Sequence, residues 1–343
     1  QGFERADECR RGYGAVLDAL GCGAIRTPSR ILCEEAGLRL HAFGGAAASP
    51  ALLILPAPIK RAYIWDLAPD VSVVRRCLAQ GLRVFLAEWT DDAPADFGLE
   101  HYADRLPLAA IAAIAGEAGG QRVMLAGHSL GGTLAAIFAA LHPRRVRALV
   151  LLESPLRFGP AAGAFAPLVA TTPARPIRDL FGAVPGSFLD AASAAAAPES
   201  FIAARWRDAV ATAGDRPGRL TRLRVERWTC DEFALPGRLF EAVVELLYRE
   251  DRFMAGRLTV GGRKATPQAL AMPILGTFRP KSRIVPPATI LPLRDVARHP
   301  RNRLTRYDGE HGVALQHVGI LVGRKAHAET WPEILDWIDR CGE

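Results

Sequence analysis

Residues 123–134 read VMLAGHSLGGTL, and within them Gly127-His128-Ser129-Leu130-Gly131 fits the pattern Gly-x-Ser-x-Gly. The pattern draws its force from its position. It stands directly after a short apolar run and directly before a helical stretch, so it predicts a sharp strand-to-helix turn with Ser129 at the apex. Such a turn needs small neighbours, because its backbone is strained and the flanking segments crowd it. It lifts the Ser129 hydroxyl above the sheet edge. It also aims the N–H of the next residue, Leu130, at an oxyanion near the positive end of the helix.

The surrounding chain has the matching rhythm. Ile31–Phe43 reads as a strand pair about the Glu35–Gly37 turn. A series follows: strand Leu52–Leu55, helix Val71–Gln80, strand Arg83–Ala87, helix Leu99–Ala118, strand Val123–Ala126, helix Thr133–Leu141, strand Ala148–Leu152. Short apolar strands alternating with helices predict an α/β fold with a doubly wound, mostly parallel sheet covered on both faces. After Pro155 the rhythm breaks into proline-rich loops, the alanine-rich segment Asp190–Ala197 and helical candidates at Ser200–Thr212 and Pro236–Tyr248. Strands resume at Pro273–Thr277 and Arg303–Tyr307, and Trp331–Arg340 closes the chain as a helix. Residues 1–156 and 268–343 therefore read as one core with an N-terminal lead-in over 1–30, and residues 157–267 as an inserted, mainly helical cap.

A serine hydroxyl needs a base to become a nucleophile. Of the eight histidines, His128 lies inside the turn, and His41, His101 and His142 precede the expected position, His142 reading as a surface residue. His299 and His327 read as solvated. His317, in GEHGVALQHVGI after the last strand, is the preferred base, with His311 in reserve. An acid should orient the imidazole. The stretch after the seventh strand, FRPKSRIVP (278–286), contains no carboxylate. Glu153, at the end of the apolar strand that follows the nucleophile helix, is the preferred acid. Asp308 is its reserve. The second oxyanion donor is expected from PAPI (56–59); prolines lack the N–H, which leaves Ala57 or Ile59.

Composition excludes several classes. Half of the 343 residues are apolar and 23% are charged, which argues for a folded core and against general disorder. The net charge of +7 comes from dispersed arginines rather than a basic face, so no nucleic-acid partner is expected. No apolar stretch approaches the ~18 residues of a membrane span. Glu4, Asp7 and Glu8 make the first residues unlike a secretory leader. The six cysteines show no Cys-x-x-Cys spacing, so reduced, mostly buried thiols, no metal and a cytoplasmic location are expected. No cofactor is called for.

Five segments together resemble the polyhydroxyalkanoate synthase family of α/β-hydrolase proteins. They are LLILPAPIKRAYIWDLAPDVSVVRRCLAQGLRVFLAEW (52–89), AGHSLGGTLAAIFAALHP (126–143), ERWTCDEFALPG (226–237), LYREDRFMAGRLTVGGR (247–263) and HVGILVGRKA with WPEILDWI (317–338). The resemblance runs from about residue 27 to the end. It implies the α/β-hydrolase fold with a cap, a cytosolic protein handling hydroxyacyl esters or thioesters, and His317 as the histidine of the site. It allows a homodimer through the cap. Two positions depart from the family: Ser129 stands where the synthases place cysteine, and Ser282 where they place aspartate. The loss of that aspartate beside the gain of Glu153 resembles the relocated acid of the haloalkane dehalogenase and pancreatic lipase branches.

The expected function is a serine ester hydrolase. In it Ser129 attacks the carbonyl, His317 is base and then acid, Glu153 orients His317, and water releases a short to medium acyl or hydroxyalkanoate ester, monomeric or oligomeric. The alternative is a hydroxyacyl-CoA acyltransferase that keeps synthase-like chemistry on serine. A third reading is a non-catalytic homologue that binds polymer granules or a true synthase.

Overall fold

The computed structural model describes residues 2–46, 48–118 and 122–342. Its main sheet contains eight strands: β1 (Arg30–Glu35), β2 (Leu38–Phe43), β3 (Ala51–Leu55), β4 (Arg83–Glu88), β5 (Val123–His128), β6 (Val146–Leu152), β11 (Ile274–Phe278) and β12 (Arg303–Arg306). Two short ladders lie between, β7 (Ala183–Val184) with β8 (Leu235–Pro236) and β9 (Leu258–Val260) with β10 (Arg263–Ala265). The strand order is β1-β2-β4-β3-β5-β6-β11-β12. β1, β2 and β4 pair antiparallel, and every pairing from β4 onward is parallel.

Alternation along the central strands explains why both faces are covered. Leu53 and Leu55 of β3, Leu125 of β5 and Leu149 and Leu151 of β6 enter one apolar core, with helices α3 (Leu106–Ala118) and α4 (Leu130–Leu141). Leu52, Ile54, Met124, Val150 and Leu152 enter the other, with α2 (Val73–Ala79) and the C-terminal helix Trp331–Gly342. A strand buried on both sides reads as a continuous apolar run, which is how β3 appears in the sequence.

The chain runs from β3 to β4 on one side, then returns across β3 to β5 on the other. The direction of strand order therefore reverses at β3/β5, and open α/β sheets bind ligands outside the carboxyl ends of strands at such a reversal. Between β6 and β11 the chain forms α5 (Phe165–Thr171), α6 (Ala174–Phe181), α7 (Gly186–Ala196), α8 (Ala204–Ala211), α9 (Arg216–Thr229) and α10 (Gly237–Ala242), and all of these but α6 line one cavity with Ser129.

Three of these, α5, α6 and α9, fall where the sequence suggested loops. In α9 (RPGRLTRLRVERWT) the inward stripe is Gly218, Thr221, Val225 and Trp228, spaced as a helix face but carrying only two large apolar residues among its arginines. A periodicity built on hydrophobicity misses such a helix. Its Pro217 near the start was the available signal.

The lead-in is helical, as α1 (Gly2–Ala19), and packs against α7 and α9. The Ser187 N–H donates to Asp7 at 2.8 Å, and Arg10 Nε donates to Glu232 at 2.7 Å. Among the described residues no helix is long and apolar enough to cross a membrane. The cysteines are unpaired, and Cys22, Cys77, Cys230 and Cys341 are buried.

Candidate active site

Ser129 lies at the tip of the β5–α4 turn with φ 54° and ψ −132°. A non-glycine residue held there costs about 1–3 kcal/mol and persists only when its surroundings over-determine it. Here they do. The Ser129 N–H donates to the Leu152 carbonyl at 3.0 Å, and the N–H groups of Gly132 and Thr133 donate to the Ser129 carbonyl at 3.0 and 3.2 Å. The glycines answer to space: a methyl on Gly131 would come within 2.3 Å of the Leu55 carbonyl oxygen and 2.7 Å of the Ala57 nitrogen.

That close approach sets the second wall of the site. The loop after β3 is clamped by Trp89 Nε1 donating to the Pro56 carbonyl at 2.8 Å and by Lys60 Nζ donating to Glu232 and the Thr229 carbonyl, each at 2.7 Å. Leu130 opens α4, so its N–H is one of the four at a helix start without an intrahelical acceptor. Leu130, Ala57 and Ile59 all line the cavity that contains Ser129.

His317 lines the same cavity and is buried. The chain therefore brings together two residues 188 positions apart in sequence on one side of the sheet. His128, inside the turn and too constrained to serve as a base, has a supporting contact that sequence reasoning missed. Its Nε2–H donates to the His317 carbonyl at 2.8 Å, and the two rings lie 4.5 Å apart. The strand-to-helix turn thus grips the main chain of His317.

Glu153 follows β6 with φ 41° and is fully buried. Its Oε2 is 3.9 Å from His317 Nδ1, longer than the 2.6–3.2 Å of a direct hydrogen bond. Among the described residues, neither carboxylate oxygen of Glu153 nor His317 Nδ1 has a hydrogen-bond partner. The two reserves lie elsewhere. Asp308 is exposed and accepts from Arg306 Nε at 2.6 Å, and His311 is exposed, with its Nδ1 3.8 Å from Asp208. Ser282, at the position of the synthase aspartate, is buried and accepts the Val285 N–H at 3.1 Å, capping its own turn.

Two minor expectations fail. His327 is buried, accepting from Arg76 Nε at 2.7 Å and donating to the Leu321 carbonyl at 2.8 Å, because both ring nitrogens find partners inside. His142 is largely covered, with its Nε2 2.6 Å from Asp104.

Burial also sets the charge states. It pushes His317 and His128 down to about 3 and His327 down to about 4; the nearby Arg279 cation adds to the fall at His317. It pushes Glu153 up to about 7 against the opposing pull of Arg279. The signs for stability follow. Each lowered histidine withdraws stability as pH falls from its unfolded value near 6.5 toward its folded one, whereas Glu153 returns stability as pH falls from about 7 to about 4.5. Three histidines outweigh one glutamate, so urea midpoints are expected to drop steadily between pH 6.5 and 4.5. A flat or rising midpoint over that interval would contradict neutral, buried imidazoles.

The parallel sheet, its reversal at β3/β5 and the strained serine turn define a protein of the α/β-hydrolase fold. A family model described as alpha/beta hydrolase fold matches residues 94–206. Among curated proteins, the poly(3-hydroxyalkanoate) polymerase subunit PhaC of Haloferax mediterranei is 27% identical over 93% of this chain, which spans 65% of that protein. The namesake from Allochromatium vinosum is 26% identical over 98% of this chain and 96% of its own length. Among solved structures, a monoacylglycerol lipase of Paleococcus ferrophilus superposes with a TM-score of 0.58 at 17% identity, covering 89% of this chain and 99% of that one, a likeness of fold alone. The chain has the α/β-hydrolase fold and is similar over most of its length to polyhydroxyalkanoate polymerases.

This corrects the serine ester hydrolase expected from sequence. Five relatives aligned over more than nine tenths of the chain are all named polymerases. The inference failed at a definable step: a serine with a base specifies an acyl-enzyme, but says nothing about whether water or an alcohol takes the acyl group.

Proposed function

We propose that the chain transfers hydroxyacyl groups from a thioester, such as a hydroxyacyl-CoA, through Ser129 to the hydroxyl of another hydroxyacyl unit. Ser129 attacks the thioester carbonyl as His317 takes its proton. Glu153 stabilises the resulting imidazolium, and the N–H groups of Leu130 and of Ala57 or Ile59 receive the oxyanion. The thiolate leaves with the proton held by His317. The acceptor hydroxyl then gives its proton to His317 and attacks the acyl-serine, which restores Ser129 and forms one new ester.

The observation that carries this reading is the shared cavity: Ser129 and His317 line a space of about 650 Å³ whose other walls include Phe165, Phe188, Phe240 and Tyr248. Residues 157–267 act as the cap that supplies those walls. An apolar chamber admits an acyl chain and disfavours water, and excluding water separates transfer from hydrolysis on a serine ester. Transfer from thioester to serine runs downhill; the onward step between two oxoesters is close to balanced, and the oxoester carbonyl is less reactive than a thioester's.

Incubation with a hydroxyacyl-CoA tests the assignment. CoA release with growth of an oligoester is expected, and CoA release matched by free hydroxy acid would contradict it. Ser129→Cys, which turns the acyl-enzyme into a more reactive thioester, is expected to speed chain growth about tenfold, equivalent to ~1.4 kcal/mol of barrier. An unchanged or lower rate of chain growth would show that the acyl-serine step does not limit transfer.

A further inference from the structure

Arg279 stands behind the site, in the loop after β11, and sequence reasoning gave it no role. It is buried, and its Nε lies 3.5 Å from Glu153 Oε2, the same oxygen that lies 3.9 Å from His317 Nδ1. Its Nη2 is 3.5 Å from Ser282 Oγ. Its stem is braced by Gly309 (φ +80°), where a methyl would come within 3.0 Å of Arg279 Cδ. Among the described residues four titratable or charged groups face Glu153: His128 at the end of β5, His317 from the C-terminal segment, Tyr307 after β12, and Arg279. Of these described residues, only Arg279 carries a charge at every working pH.

We propose that Arg279 is a positioning residue that favours the ionised form of Glu153 and aims it at His317, so that the acid of this site is a Glu153–Arg279 pair. The proposal rests on the reading in which Ser129 and His317 act together. A fully buried carboxylate without a cation takes up a proton, and a neutral carboxyl cannot stabilise an imidazolium. Arginine suits the task because it cannot lose its charge and because its planar fork spans Glu153 and Ser282 together. The same cation disfavours a second positive charge on His317, which keeps the resting imidazole neutral and ready to accept the Ser129 proton. The arrangement also accounts for Ser282: a small hydroxyl there caps the turn and leaves Arg279 free to face Glu153.

The test is the pH dependence of Ser129 labelling by a fluorophosphonate, measured on the full chain. Wild type is expected to label more slowly as Glu153 is protonated on the acid side. Arg279→Met is expected to move that acid limb at least one pH unit upward, and Arg279→Lys to restore most of the shift. In the background of Glu153→Gln, adding Arg279→Met is expected to change the rate less than threefold; this pair leaves no unpaired buried charge and serves even if Arg279→Met alone does not fold. An unmoved limb in Arg279→Met, or a tenfold loss on adding it to Glu153→Gln, overturns the proposal and leaves the Ser129 reading standing. No labelling of wild type overturns that reading and the proposal with it.

Discussion

Ser129→Ala is expected to lower acyl transfer by roughly 10,000-fold or more while leaving the fold intact. On the proposed mechanism the Ser129 hydroxyl forms the acyl-enzyme, and the N–H groups at Leu130 and Ala57 or Ile59 together with His317 cannot replace that covalent step. Alanine adopts the strained φ of 54° no more easily than serine, so it should neither stabilise nor destabilise the turn by much. Ser129→Gly removes the same hydroxyl and relieves the strain, and should be the more stable of the two by about 1 kcal/mol. Both are checked by CoA release and by urea unfolding. Activity within tenfold of wild type in either variant would remove Ser129 from the chemistry.

The largest effect on stability is expected at Gly131. A methyl there meets the Leu55 carbonyl oxygen at 2.3 Å, the Pro56 carbonyl carbon at 2.6 Å and the Ala57 nitrogen at 2.7 Å. All three are backbone atoms at the end of a central strand, so no side chain can rotate away. Gly131→Ala should cost about 3 kcal/mol or more, at the upper end for overpacking, and should displace the wall that carries Ala57 and Ile59. Activity should fall further than stability alone explains. Gly214→Ala, with nothing within 4 Å, is the control and should stay within about 0.5 kcal/mol. Equal behaviour of the two variants would mean that α4 and β3 are not packed as described.

The core was legible because its signals are local. β3, β4, β5 and β6 are short apolar runs, and each appears within about two residues of where the sequence puts it. Ser129 was legible for the same reason: strand, small residues and helix are contiguous. The choice of His317 over His311 depended on which loop histidine turns inward, and the structure buries the first and exposes the second. Arg279 could not be read, because one arginine among 39 carries no local mark of burial. The signal available was indirect. A buried glutamate at 153 requires a cation, and the positively charged stretch at 279–283 was noted only for the acid it lacks.

On the proposed function Ser129 carries a growing hydroxyacyl chain. Intact-mass and peptide mass spectrometry of the full chain, quenched in acid during turnover with a hydroxyacyl-CoA, tests it directly. A ladder of adducts is expected on the peptide containing Ser129, spaced by one hydroxyacyl unit and absent from Ser129→Ala. Unmodified protein, or a single acyl unit that appears only with equivalent free acid, would contradict it.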